Sequence, residues 1–277
     1  MAQKWAQSHL DVVDERYFLE AQTADIINKG VRLDFNGKKS VTIYNVDTVA
    51  EVDYVRNGFN RFGDVVELGT GEQTFTLSQD KAFTFTVDKG NLNDSMLVQE
   101  ANKAVKRQLR EVSVPATDKY RLGVLHAYAV ANSQSATSAL AYNDVYQKIL
   151  TQAAALYEAT YETDGVHLIV TPTTYNLLKR DPEFVRDADT TYKDLKKGIL
   201  GEVDGMKIHR VPAAYLPANA GFMIVSDKVL VSPTKMNSVR VLTDVQGIDG
   251  AVAEGRRYYD AFIPTNKAKA IRVHQIA

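Results

Sequence analysis

Asn93-Asp94-Ser95-Met96-Leu97-Val98-Gln99-Glu100-Ala101-Asn102-Lys103-Ala104-Val105-Lys106-Arg107-Gln108-Leu109-Arg110-Glu111-Val112 carries two interleaved stripes. Leu97, Ala101, Ala104, Val105, Leu109 and Val112 recur at spacings of three and four. A helix therefore gathers them on one side. Lys103, Lys106, Arg107 and Arg110 recur in the same way and fall roughly opposite. Asn93 or Asp94 can cap the first free amides, and Pro115 is expected to set a limit just past the far end. Such a helix is ~30 Å long, enough to cross a small domain. It reads as a rigid beam with a buried side and a positive side.

On the N-terminal side of the beam the period changes from helical to two. Lys39–Tyr44 alternates as a strand, with Val41 and Ile43 one way and Thr42 and Tyr44 the other. Residues 45–70 are polar, glycine-containing and weakly patterned. Gln73–Val87 alternates again: Phe75, Leu77, Phe83, Phe85 and Val87 are odd-numbered, and Thr74, Thr76, Thr84 and Thr86 are even. Ser78-Gln79-Asp80 offers turn chemistry, yet the period runs unchanged across it. Two readings stand, one long bent strand or a hairpin, and under both residues 39–88 form an extended β arm with a polar tip. Residues 1–36 are mixed, with a short helix expected over Asp14–Ile27 (Tyr17, Phe18, Ala21 and Ile26 on one side). This segment is expected to be a terminal arm that packs where a surface is offered.

On the C-terminal side, Pro115–Asp118 opens a second helical pattern through Tyr120, Leu122, Val124, Leu125, Tyr128 and Ala129. Asn132–Ser138 reads as a small-polar linker. Tyr142–Thr163 is a third helix with Val145, Ile149, Ala153, Leu156 and Tyr157 on one face. Val166–Val170 is an apolar strand, and Pro172–Lys179 a helical turn closed by Arg180-Asp181-Pro182. Strand patterns recur at Met206–Val211 and Phe222–Val225, so residues 132–236 read as an α/β unit. Strands return at Val239–Leu242, Ala251–Ile263 and Ala270–Ile276.

Composition narrows the function classes. The 277 residues suit one large or two smaller domains, and 45% hydrophobic with 24% charged residues is ordinary for a globular protein. Lys plus Arg is 33 against 34 Asp plus Glu, so any nucleic-acid contact must come from a local patch. The absence of cysteine removes disulfides, zinc–thiolate sites and thiol nucleophiles. Met1-Ala2-Gln3-Lys4-Trp5 leads into no apolar run, so no secretory signal is expected, and no stretch approaches the ~18 apolar residues of a membrane span. A cytoplasmic site of synthesis follows.

The strongest enzymatic lead is Val65-Val66-Glu67-Leu68-Gly69-Thr70-Gly71, which looks like the first motif of class I methyltransferases and would bind S-adenosylmethionine. Its context argues against that use. A nucleotide-binding loop must open into a helix, and Gln73–Val87 has strand chemistry instead. His9, His126, His167, His209 and His274 include no helical i, i+4 pair, so no metal site is expected. No catalytic or cofactor-binding residue is nominated, and the chain is not expected to be an enzyme. The stripe Lys103, Lys106, Arg107 and Arg110 has two readings, a solvated helix face or a weak, sequence-independent contact with phosphate or an acidic protein.

Several stretches, in this order, resemble the major capsid proteins of tailed double-stranded DNA phages. They are Leu77–Asp88, Val114–Arg121, Leu168–Pro172, Asp204–Lys207, and Gly247–Gly250 running on through Glu254–Phe262. The likeness covers about residues 40–277, and the last stretch is the most specific. Encapsulins and the herpesvirus capsid floor share the same fold. The resemblance implies an α+β chain with an N-terminal arm (1–36), an extended β loop (37–90), a peripheral domain with a long spine helix (91–131 and 237–277) and an α/β axial domain (132–236). It implies a structural head protein that self-assembles through hexamers and pentamers into an icosahedral shell around the phage genome. The protein would be found in the virion, after assembly in the host cytoplasm. An encapsulin-like shell is the alternative within this fold, and a methyltransferase the alternative outside it.

The expected partners are further copies of the chain, a portal, and packaged DNA through weak non-specific contact. The chain leaves no room for a long cleaved scaffold segment, so a separate scaffolding protein is expected. Intersubunit contacts are expected at Arg56, Arg61, Phe75, Lys81 and Phe83, and an interior basic face at Lys103, Lys106, Arg107 and Arg110. Lys81-Ala82 stands where the family more often has Arg-Gly.

Overall fold

The described part of the beam is helical, but it does not stop at Pro115. Residues 104–108 are α-helical, Leu109–Ser113 forms a π turn, and α1 (Val114–Ala131) follows without a break. Proline has no N–H and its ring clashes with the carbonyl four residues back, which should end a straight α-helix. Here the Val114 N–H bonds the carbonyl of Leu109, five residues back, and this wider turn carries the chain past the proline. The added residue also rotates the stripe. Val105 and Leu109 are inside, whereas Val112, expected inside, is 52% exposed, and Ser113 and Val114 take the inward positions. α1 ends in a Schellman motif: Gln134 N–H bonds Ala129 O, Ser133 N–H bonds Val130 O, and Ser133 holds φ of 57°.

The computed structural model describes residues 21–31, 33–36, 39–46, 48–65, 67, 69–88, 104–160, 164–181, 199–242, 245–247 and 250–277. Residues 93–103 of the beam, Lys103 among them, and residues 14–20 of the expected terminal helix lie outside these. Two units are distinguished, Gly30–Leu77 and the remainder.

In the larger unit the apolar strands form a six-stranded mixed sheet. Its order is β5 (Ser135–Thr137), β12 (Ile271–Gln275), β9 (Ala220–Ser226), β6 (Val166–Val170), β8 (Met206–Arg210) and β7 (Ile199–Val203). The stretch read as a linker after α1 thus contains an edge strand, parallel to β12. β12, second from one edge, pairs with β5 and β9, so this sheet draws on residues either side of position 236. Helices α2 (Val145–Thr160) and α3 (Pro172–Arg180) cover one face, burying Val145, Ile149, Ala153 and Leu156 against Leu168, Val170, Ile208 and Phe222. Thr171 caps α3 through its Oγ1, which accepts from Thr174 N–H. The other face receives α1, through Leu122, Leu125 and Ala129 against Ile169, Met223, Val225 and Val273.

Ile26 joins that second core. Residues 21–27, expected as the end of a helix on a loose arm, are turns that end in a bridge from Ile27 to Leu230. Thr23 supplies the physical reason. Its hydroxyl donates to Asp118 Oδ1 at 2.6 Å and accepts from Arg121 Nη1 at 3.0 Å, so the segment satisfies two charges buried on α1.

A second sheet of this unit runs β10 (Thr234–Leu242), β11 (Gly250–Tyr259) and β4 (Gln79–Asp88), all antiparallel. Val239 and Ala253 pack on Val105 and Leu109, joined by Phe83 and Phe85. The predicted alternation holds along β4: Phe83, Phe85 and Val87 are half-buried, while Thr84 and Thr86 are exposed.

The unit Gly30–Leu77 has its own antiparallel sheet, β1 (Asp34–Asn36), β2 (Ser40–Val46) and β3 (Thr70–Thr76). β3 pairs with β2 and β4 with β11, so residues 73–87 are no hairpin. The pairing partner changes at Leu77–Ser78.

Candidate functional site

Gly71 already lies within strand β3, the next element is strand β4 and not a helix opening beside a ligand, and Val65 is fully exposed. The Val65–Gly71 stretch therefore lacks the setting of a cofactor loop. Among the described residues, no group of three or more His, Asp or Glu side chains is placed to hold a metal, and no helix is long and apolar enough to cross a membrane.

What the structure presents instead is surface. Residues 48–65 are almost all exposed, and their tip departs from the polar expectation. Phe59 is 98% and Phe62 84% exposed, with Val49, Val52, Tyr54 and Val55 all more than half exposed beside them. The tip is nonetheless ordered from within. Tyr54 and Phe62 meet edge to face at 5.0 Å, Val55 N–H bonds Arg61 O, and Arg61 Nε donates to Gly58 O at 3.2 Å. Gly58 and Gly63 hold φ of 108° and 82°, which a side chain rarely tolerates. Exposed apolar side chains grouped in this way are a feature of interaction surfaces. The segment's mixture of charge and glycine masked these aromatics in the sequence; counting its valines, Tyr54, Phe59 and Phe62 would have found them.

Of the expected contact residues, Arg56 and Arg61 lie in this tip and are exposed, and Phe75 is half-buried on β3. Lys81 and Phe83 lie elsewhere, on β4. They line an open groove of about 670 Å3 beside Val112, Ala116, Tyr120 and Tyr259. Phe83 also serves its own subunit: its ring lies over Gly255, where a Cβ would collide with it.

Behind the groove lies a polar network that periodicity did not show. Asp260 accepts from Tyr120 Oη at 2.6 Å, from Ser78 N–H at 2.6 Å and from Ala261 N–H at 2.7 Å. Burial first, then the Asp260 carboxylate, holds the Tyr120 phenol above its ordinary range. Asp118 and Arg121 form an ion pair with 1% of either side chain exposed. Burial raises the Asp118 pKa even though Thr23 and Arg121 oppose it. Arg257 Nη1 donates to Ser113 O and Thr117 Oγ1, which ties β11 to the carbonyl end of the π turn. The Tyr120–Asp260 and Arg257–Ser113 contacts tie the beam and α1 to the β10–β11–β4 sheet and the strand end that follows it.

Lys106, Arg107 and Arg110 are exposed, on the side away from Val105 and Leu109. Arg107 Nε meets Glu111 Oε1 at 2.9 Å, an exposed i, i+4 pair that offsets part of the stripe's charge.

No family model matches the chain, and no curated protein does. Solved structures do. One from Mycobacterium phage Che8 is 16% identical over 86% of this chain and 84% of that chain, with a TM-score of 0.58. The asymmetric unit of the bacteriophage PhiM1 mature capsid is 11% identical over 87% and 83%, at 0.60. A virus-like particle from Pyrococcus furiosus is 14% identical over 98% of both chains, at 0.53. At these identities the likeness is one of fold: the chain has the α+β fold of the phage capsid structures, as the sequence resemblance implied.

Proposed function

We propose that this chain is a structural shell subunit, the major capsid protein of a phage head, and not an enzyme. One observation carries this: the fold of capsid and virus-like-particle chains is matched over 86–98% of this chain's length. Copies would assemble through hexamers and pentamers into an icosahedral shell around the genome, with a separate scaffolding protein and a portal as partners. The division of labour would be an arm (1–36), an extended loop (37–90), a peripheral domain (91–131 and 237–277) and an axial domain (132–236). Arg56, Arg61, Phe75, Lys81 and Phe83 would meet neighbouring copies. Lys103, Lys106, Arg107 and Arg110 would face the interior and packaged DNA.

The exposed apolar tip supports this reading, because an isolated chain gains nothing from holding Phe59 and Phe62 in water. Sedimentation and electron microscopy of the expressed chain, alone and with its scaffold, test it. Closed particles of megadalton mass are expected. A chain that stays monomeric under both conditions overturns the proposal. A second reading, an encapsulin-like compartment, is favoured by the coverage of both chains in the virus-like-particle comparison. Protein cargo instead of nucleic acid inside purified particles would select it.

A further inference from the structure

His167 and His209 are buried, at 4% and 2% exposure, on neighbouring parallel strands β6 and β8. Val166, Leu168 and Val170 point to the α2 and α3 side, so His167, like Ile169, faces α1. His167 Nδ1 and His209 Nε2 lie 2.8 Å apart. At that distance one ring nitrogen donates and the other accepts, so the accepting nitrogen carries no proton. One proton can sit on the far nitrogen of the donor ring and leave the contact in place, but with both rings charged each facing nitrogen is a donor and the contact breaks.

A carboxylate stands ready for the charged ring. Asp227 follows β9, packs against Gly165 just before β6, and leaves Oδ1 buried without a hydrogen-bond partner. Its charge favours protonated His167. The next three residues carry the strap formed by residues 21–29. Asn28 N–H bonds Leu230 O, Asn28 Nδ2 bonds Lys228 O, and Ile27 bridges to Leu230. Among the described residues, the charged groups acting on the pair are Asp25 on the strap, Lys207 on β8 and Asp227.

We propose that the His167–His209 contact is an acid-sensitive latch on the strap: protonation of both rings parts them, Asp227 takes the charged His167, and the turn that carries the strap loosens. Burial and the facing imidazole hold His209 down to about 4, and burial lowers His167 despite Asp227. Both groups therefore bind protons more readily when the latch is open. The closed state is fully favoured above pH ~6.5, and its advantage falls as pH drops towards 4, by roughly tenfold per unit for each proton taken up. Asp25 attracts the protonated pair and would oppose this, but burial outweighs it in both rings. The latch lies within one chain and does not depend on shell assembly.

Amide exchange at Ile27 and Asn28, corrected for intrinsic rates and compared at pH 7.0 and 5.0 in the full-length chain, tests the latch. About tenfold or greater loss of protection at pH 5.0 is expected, and His167→Asn with His209→Gln should abolish it. Equal protection at both pH values, or an undiminished loss in the double variant, overturns the proposal. If that variant does not fold, NMR titration of both histidines in the unaltered chain decides. Midpoints below 6.5 are expected, with His167 lowered further in Asp227→Asn. Midpoints at or above 6.5, or no response to Asp227→Asn, overturn it.

Discussion

The π turn at Leu109–Ser113 makes a quantitative claim about two side chains three residues apart. In an uninterrupted helix Leu109 and Val112 share a face, and truncating either should hurt. With the π turn, Leu109 is 6% exposed among Val105, Val239, Ala253 and the Phe83 and Phe85 rings, while Val112 is 52% exposed. Leu109→Ala removes about three methylene equivalents, ~2.4 kcal/mol at ~0.8 each. A residual cavity adds to this, within the overall range of about 2–5 kcal/mol for such truncations. The cluster is small and near the surface, so it can collapse partly, and about 2–3 kcal/mol is expected. At roughly 2–4 °C per kcal/mol for a chain of this size, the melting temperature should fall by about 4–12 °C. Val112→Ala should stay within about 0.5 kcal/mol. Urea unfolding of unassembled subunits is the assay, since assembly adds its own stabilisation. Equal losses for the two variants would refute the rotated register.

Three further outcomes are expected. Gly255→Ala pushes a Cβ into the Phe83 ring and should cost about 1–3 kcal/mol, measurable by thermal melting, with partial rescue by Phe83→Leu. Replacing Lys103, Lys106, Arg107 and Arg110 together with Gln should spare the melting temperature but lower genome retention, in a salt-dependent way; unchanged packaging at every salt concentration would return the stripe to a solvated face. Phe59→Ser with Phe62→Ser, both highly exposed, should leave subunit stability within about 0.5 kcal/mol yet reduce particle yield, and protease should cut residues 45–70 in free subunits but not in shells. Normal yield and equal protection in both states would remove the tip from the subunit interface.

Local periodicity determined most of the elements. Alternation placed Val41, Ile43, Phe83, Phe85 and Val87 correctly, because a strand's side chains alternate whatever sheet it joins. The spacing of Val145, Ile149, Ala153 and Leu156 placed α2 for the equivalent helical reason. The ordered motifs from Leu77 to Phe262 carried the resemblance to the capsid fold. Long-range partners decided the rest. A proline read locally is a helix stop, yet the contacts of Val105 and Leu109 with the β10–β11–β4 sheet, and of Arg257 with Ser113, reward a helix that continues through a π turn. Thr23 is unremarkable in sequence until Asp118 and Arg121, ninety-five and ninety-eight residues away, need its hydroxyl. His167 and His209 are forty-two residues apart and meet through the parallel pairing of β6 with β8. Period is a property of neighbours along the chain, so it is legible in sequence. The burial of a charge or an imidazole depends on which distant strands and helices close over it, and the tertiary structure alone decides that.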